Sequence, residues 1–200
     1  MPPFPLAPAA HAARPWLAAL ALLAATATAS EIQSLNVTRD GPRYRVEMEV
    51  TLRAPAAASY AAFATPANLP LINPAVREAR LLQPSGGEPP RLYTEVHVCA
   101  MLYCKTLRQT QQMHYAPRPD GGELHAEVLP AQSDFEYGRA EWRFDAAGAT
   151  TRMHFSAELQ PAFWVPPLLG PWLVERSLRE EAETTSAGIE RLAAAPAAPP

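Results

Sequence analysis

Toward the C-terminal end, Val174, Leu178, Ala182, Thr185, Ile189 and Leu192 recur every three or four residues. That repeat lays them along one stripe of a helix with 3.6 residues per turn. Glu175, Arg176, Arg179, Glu180, Glu183, Glu190 and Arg191 fall on the opposite face. The helix is therefore wet on one side and must lay the other on something. From Pro171 onward it spans on the order of 30 Å at ~1.5 Å per residue. Nearly everything before it reads as short alternating strands, the natural surface for such a stripe. A sheet gripping one long helix encloses a pocket more readily than it assembles a catalytic triad.

The N-terminal region has a different character. Arg14 is its one firm positive charge, residues 15–25 are a short Ala- and Leu-rich run, and Ala27-Thr28-Ala29 is a small-x-small pattern. Together these predict a signal peptide over residues 1–29, the alternative being an uncleaved anchor. No Cys follows the run, so a lipoprotein box is absent. Residues 30–193 then form one domain, large enough for a single substantial core, and 194–200 an Ala/Pro tail without structure of its own. The 17 basic residues against 20 acidic ones give a formal charge of −3, and removal of Arg14 makes the balance one more negative. That excludes a nucleic-acid partner, which needs a basic face to neutralise phosphates.

Along the chain, residues 31–38 read as a first strand and Arg39-Asp40-Gly41-Pro42 as a turn. Tyr44, Val46, Met48, Val50 and Leu52 then alternate with charged residues or Thr51, the cleanest period-two pattern present. Pro55 opens a short Ala-rich helix over 56–64 that Pro66 ends, and 68–74 form a second helical turn or two stopped by Pro74. Strands follow at 76–83, 91–99, 104–115, around 124–128, 136–145 and 151–160, joined by short polar turns. Consecutive strands with short connections make an antiparallel meander, and the terminal helix is the one element long enough to cover it.

The layout resembles the START-related helix-grip superfamily, also labelled SRPBCC, and within it the polyketide-cyclase/coenzyme-Q-binding branch. The resemblance rests on several stretches. The strand from Tyr44 to Arg53 leads into Pro55-Ala56-Ala57-Ala58-Ser59-Tyr60-Ala61-Ala62-Phe63. The joint Leu69-Pro70-Leu71-Ile72-Asn73-Pro74 runs into Val76-Arg77-Glu78-Ala79-Arg80-Leu81-Leu82. Ser133-Asp134-Phe135, Trp142-Arg143-Phe144 and Thr150-Thr151-Arg152-Met153-His154-Phe155 complete it. It implies an α+β helix-grip fold: a curved antiparallel sheet of about six to seven strands around the C-terminal helix, with two short helices after the first long strand. It also implies a binder of lipids, quinones, polyketides or steroids, and in a minority of members an enzyme. The leader and the two cysteines depart from the intracellular members.

Cys99 and Cys104 are the only cysteines, at the joint of two antiparallel strands. In an oxidising compartment this spacing closes a hairpin with a disulfide, worth about 2 kcal/mol for so short a loop. Free thiols, or a redox or metal role, are the alternatives. The tip Ala100-Met101-Leu102-Tyr103 is apolar where hairpins usually place Gly, Asn or Asp. It packs on a neighbouring loop or contacts a membrane or partner surface. The run from Phe163 to Val174, with Trp164 and Trp172, is broken by Pro166, Pro167 and Pro171 and is too short to span a bilayer. It reads equally as a lid over the sheet or as a membrane-docking segment.

His97, His114, His125 and His154 lie on four different strands without metal-ligand spacing, and no Asp/His cluster is visible, so no metal is expected. There is no G-x-S-x-G, no H-E-x-x-H and no Gly-rich phosphate loop. No cofactor is called for. Gln109 and Gln111 share a face with Leu107 and Met113, and would orient a carbonyl or hydroxyl if that face is inward.

The expectation is a periplasmic or secreted binder of a hydrophobic, lipid-like small molecule, with possible membrane-surface contact. Tyr60, Phe63, Trp142, Phe155, Trp164 and Leu178 are its wall, Gln109 and Gln111 its polar anchors. Met101, Leu102, Tyr103, Phe163, Trp164 and Trp172 are its lid or membrane contacts. The alternatives are a cyclase- or dehydratase-like enzyme, or a ligand-free interaction module.

Overall fold

In the computed structural model, which describes residues 30–82, 88–100, 103–165 and 171–195, the alternating segments pair into one antiparallel sheet. Its strands are β1 (Glu31–Asp40), β2 (Arg43–Leu52), β3 (Val76–Leu82), β4 (Arg91–Ala100), β5 (Tyr103–Arg118), β6 (Gly121–Val128), β7 (Phe135–Ala147) and β8 (Thr150–Pro161). The spatial order is β1-β2-β8-β7-β6-β5-β4-β3. Eight strands is more than the six to seven expected, because both edge strands, β1 and β3, join the same sheet. The chain makes one long jump, from β2 to the opposite edge. Helix α1 (Ala56–Ala64), a 3-10 turn at Pro66–Asn68 and helix α2 (Leu69–Ile72) span it. The expected leader and most of the tail lie outside the described residues.

Alternation decides which face is which. Along β2, Tyr44, Val46, Met48, Val50 and Leu52 are buried, while the charged residues between them lie on the outer face. The last helix, α3 (Pro171–Ala193), lies over the inner face and touches β1, β2, β4, α1 and α2. This is the helix-grip architecture, with the stripe of α3 turned to the sheet.

The C-terminal half of α3 is fastened closely. Ile189 is fully buried, and a Cβ placed on Gly188 would lie 2.1 Å from the backbone carbonyl oxygen of Ile72. Only glycine allows α2 and α3 to approach so nearly. Glu190 accepts the backbone N–H of Arg53 at 2.8 Å and pairs with its guanidinium at 2.8 Å. Asn73, buried just after α2, donates to Glu181 Oε2 at 2.7 Å and Thr185 Oγ1 at 2.9 Å, and accepts from the Ala75 N–H at 2.8 Å. The larger core cluster, with Leu52, Tyr60, Met113, Phe144 and Ile189, surrounds this end, and a smaller one with Tyr44, Val46 and Ala157 packs under Val174 and Leu178.

Candidate functional site: a cavity between the sheet and the terminal helix

Between the two core clusters the interior is hollow. One chamber of about 340 Å³ is bounded by β4 to β8, the α1–α2 segment and α3. A second, of about 330 Å³, lies toward β1 and β2 and shares Phe63, Trp142, Phe155 and Leu178 with the first. These volumes fall in the range of small-molecule sites. The shared aromatic rings pack on one another, Phe63 to Trp142 at 5.5 Å and Trp142 to Phe155 at 5.3 Å between centroids.

Of the eight residues expected to line a site, Phe63, Gln109, Gln111, Trp142, Phe155 and Leu178 do line this cavity. Tyr60 and Trp164 are corrections. Tyr60 is buried in the packed core, edge-on to Phe144 at 6.1 Å, with its ring lying on the backbone of Gly122. A Cβ at Gly122 would come within 2.6 Å of that ring. The absent side chain draws Tyr60 away from the cavity. Trp164 is 73% exposed and forms no part of the described wall. Phe163 just before it is half-buried, its ring centroid 4.3 Å from Nζ of Lys105, which stands on the inner face of β5 opposite Val98.

The two glutamines face inward as the register requires. Thr94 is opposite Gln109 and Leu92 opposite Gln111 on the paired strands β4 and β5, so all four side chains share the inner face. Thr94, not anticipated as a site residue, is buried and its hydroxyl has no hydrogen-bond partner among the described residues. The row Leu92, Thr94, Val96, Val98 carried the signal: one polar residue in an otherwise apolar inward set. Asn73 and Tyr115 also line the first chamber and Glu181 the second. Desolvation raises the pKa of Tyr115, with a smaller push from the neighbouring Tyr60 hydroxyl, and desolvation alone raises that of Tyr60. Both hold their protons above the ordinary tyrosine range.

Cys99 and Cys104, opposite each other on β4 and β5, form the expected disulfide. His97 lies alongside, Nδ1 3.2 Å from Thr106 Oγ1 and Nε2 3.6 Å from Cys99 Sγ. With both sulfurs bonded to each other, this trio offers no thiolate to a metal. On the sheet's outer face, pairing of β6 with β7 brings His125 to 3.6 Å from Glu141 and 3.8 Å from Glu123. The expectation concerned Asp and His; this group of two Glu and one His comes from cross-strand register, which residue spacing does not show. All three side chains are partly open to solvent, as surface ion pairs commonly are. Of the anticipated lid or membrane contacts, Met101 and Leu102 lie outside the described residues. So do the side chains of Tyr103 and Trp172.

The architecture has counterparts among solved structures. A START superfamily protein from Mycobacterium smegmatis superposes with a TM-score of 0.59 at 16% identity, covering 74% of this chain and 98% of its own. A STAR-related lipid transfer protein from Xanthomonas axonopodis gives 0.59 at 13% identity, covering 78% and 98%. The Zhui aromatase/cyclase of Streptomyces sp. R1128 gives 0.55 at 16% identity, covering 76% and 93%. At such identities the likeness is one of fold. A comparison with curated protein sequences finds no match. The sequence profile described as polyketide cyclase / dehydrase and lipid transport, however, matches residues 43–195, every element from β2 through α3. The chain belongs to that family.

Proposed function

We propose that this protein binds and carries an apolar, lipid-like molecule without covalent chemistry. The observation that carries the reading is the hollow between sheet and helix, walled by Phe63, Trp142, Phe155 and Leu178, with Gln109 and Gln111 on the sheet side and Asn73 and Glu181 beside the helices as its polar groups. An apolar cavity with few convergent polar groups suits binding and orientation. The family covers both cyclases and lipid transport. Transport fits better here, because Tyr115 and Glu181, the ionisable groups among the described lining residues, belong to different chambers. In this reading residues 1–29 are a leader, residues 30–193 are the carrier domain, and the mature chain works in the periplasm or outside the cell. The Cys99–Cys104 bridge accords with an oxidising compartment. Exposed Trp164, beside Phe163, is a suitable side chain for touching a membrane where cargo is exchanged.

Native mass spectrometry of the full chain, expressed with its leader and purified from a periplasmic extract, tests this. The expected result is a mature mass beginning near Ser30, a bound apolar adduct removed by organic extraction, and a reduced adduct in Trp142→Ala. A bare mass that stays unchanged after incubation with quinone-containing phospholipid vesicles would sink the carrier reading for those ligands.

A further inference from the structure

Lys105 is the one lysine in the chain, and it stands on the inner face of β5. Leu107 and Gln109, next along that face, line the first chamber, and Val98, the register partner of Lys105, lines the second. From there the side chain reaches the segment that follows β8, placing Nζ 4.3 Å from the centroid of Phe163. The ammonium therefore joins the sheet to the run into α3 at the edge of the hollow. It is half-buried, one step beyond the apolar wall.

What it lacks is a counter-ion. All 20 acidic residues of the sequence lie within the described residues, and none of them forms an ion pair with Lys105. Nearby guanidiniums on the other face are paired, Arg108 with Glu95 and Arg118 with Glu123 and Asp145. An ammonium carries three N–H donors, and a ring face occupies one side of it. The donors that remain are open to water or to a ligand. An anionic oxygen arriving there exchanges that water for charge-assisted hydrogen bonds.

The interior offers the opposite surroundings. No described lining residue of either chamber is Lys, Arg or His, and Glu181 of α3 adds a carboxylate to the second. A negative group drawn inward would lose its hydration without gaining a cation. An acid is thus favoured at the rim and disfavoured behind it.

We propose that Lys105 is a rim anion site: it holds the acidic oxyanion head, carboxylate or phosphate, of a cargo whose apolar chain lies in the hollow. This inference rests on the carrier reading and adds the residue that selects the cargo and orients it, head at the rim and tail inward.

The test is displacement of a neutral naphthylamine fluorophore from lipid-extracted protein at neutral pH by decanoate, decyl phosphate and decanol. The anions are better hydrated than the alcohol, so each competitor is compared across variants. Lys105→Met keeps most of the side chain's length and removes its charge. It should weaken both anions about fivefold to tenfold, the scale of one charge-assisted hydrogen bond made partly in solvent, and leave decanol unchanged. Lys105→Arg should restore most of the loss. Inorganic phosphate at the concentration of decyl phosphate should not compete, and competition would mean a free-anion site and end the head-group assignment. Sedimentation with phosphatidylglycerol vesicles covers the bilayer. Vesicle binding lost in Lys105→Met with decanoate affinity intact would give Lys105 to the membrane surface and overturn the proposal. Unchanged anion affinities in Lys105→Met, or an equal loss for decanol, would overturn it while leaving the carrier reading standing. If none of the three displaces the probe, both readings fall.

Discussion

The two halves of α3 carry one continuous apolar stripe and lie in different surroundings. Toward the C-terminal end, Ser186, Gly188 and Ile189 are buried and the helix touches α2 at Gly188, while Ala182 and Thr185, a turn earlier, still border the hollow. In the N-terminal half, Val174 and Leu178 are only half-buried, and Leu178 faces the cavity. The difference lies in what each half meets. The seated half presents small residues to a short helix and is fastened by Glu190 to Arg53 and by Glu181 and Thr185 to Asn73. The other half meets aromatic rings that pack on one another, Trp142 between Phe63 and Phe155, rather than filling the space beneath the helix. A cavity can therefore arise in a chain rich in bulky residues. It forms where stiff rings satisfy each other and hold the layers apart.

The strongest way to break this comparison is to truncate one residue in each half. Ile189→Ala removes a fully buried side chain from a packed site and should cost about 2–5 kcal/mol. Leu178→Ala enlarges a space that is already hollow and should cost roughly 1 kcal/mol, near the transfer value of its buried part. Urea unfolding of both variants in lipid-extracted protein measures the difference. Equal losses would mean that the two halves are seated alike.

Opening the disulfide should come next in size. Cys99 and Cys104 close a short hairpin loop on the hollow side, where Val96 and Val98 of β4 line the second chamber. The double change to Ser should cost about 2 kcal/mol. Hydrogen exchange should show where the loss falls. Amides of Val96 and Val98 should exchange faster while those around Ile189 keep their relative protection. A uniform loss across both regions would erase the distinction.

Thr94→Val acts in the opposite direction. The substitution removes a buried, unpartnered hydroxyl at little change in volume, so ligand-free protein should gain about 1 kcal/mol. Thermal unfolding before and after organic extraction separates this gain from any effect of bound cargo. A loss in the extracted protein would show that the hydroxyl is already satisfied there.

Local pattern made much of this legible. The period of α3 and the alternation of β2 set the two layers, and two-residue spacing put Gln109 and Gln111 on one face with Met113. Phe63, Trp142 and Phe155 were legible as wall residues because each sits on the apolar side of an element whose period is clear. What escaped depends on contacts between distant segments. Tyr60 and Phe63 share one short helix, and only the bare backbone of Gly122 takes Tyr60 into the packed core. Trp164 follows a strand end whose direction is set by contacts such as that of Phe163 with Lys105, not by any period. Glu123, His125 and Glu141 meet through the register of β6 on β7. Thr94 was readable in principle, being the polar member of the inward row of β4.

The smallest expected effect is also the one that follows the cavity's contents. Tyr60 lies in the packed cluster and Tyr115 on the cavity wall, and desolvation raises the pKa of both, with the Tyr60 hydroxyl adding a push on Tyr115. An unfolded tyrosine titrates near about 10. Because the folded values lie higher, the unfolded chain releases these protons first. Stability is fully present below about pH 10 and falls as pH rises from there through the folded values. Tyr60→Phe or Tyr115→Phe should each flatten that fall, as denaturant midpoints across this range would show. The ultraviolet titration of the folded protein should contain two late-ionising phenols, one lost in each variant. Filling the cavity with an apolar ligand should delay the Tyr115 step further, since the ligand displaces water beside it, and leave the Tyr60 step nearly where it was. If both steps move together, the tyrosines share one environment and the boundary between packed and hollow core lies elsewhere.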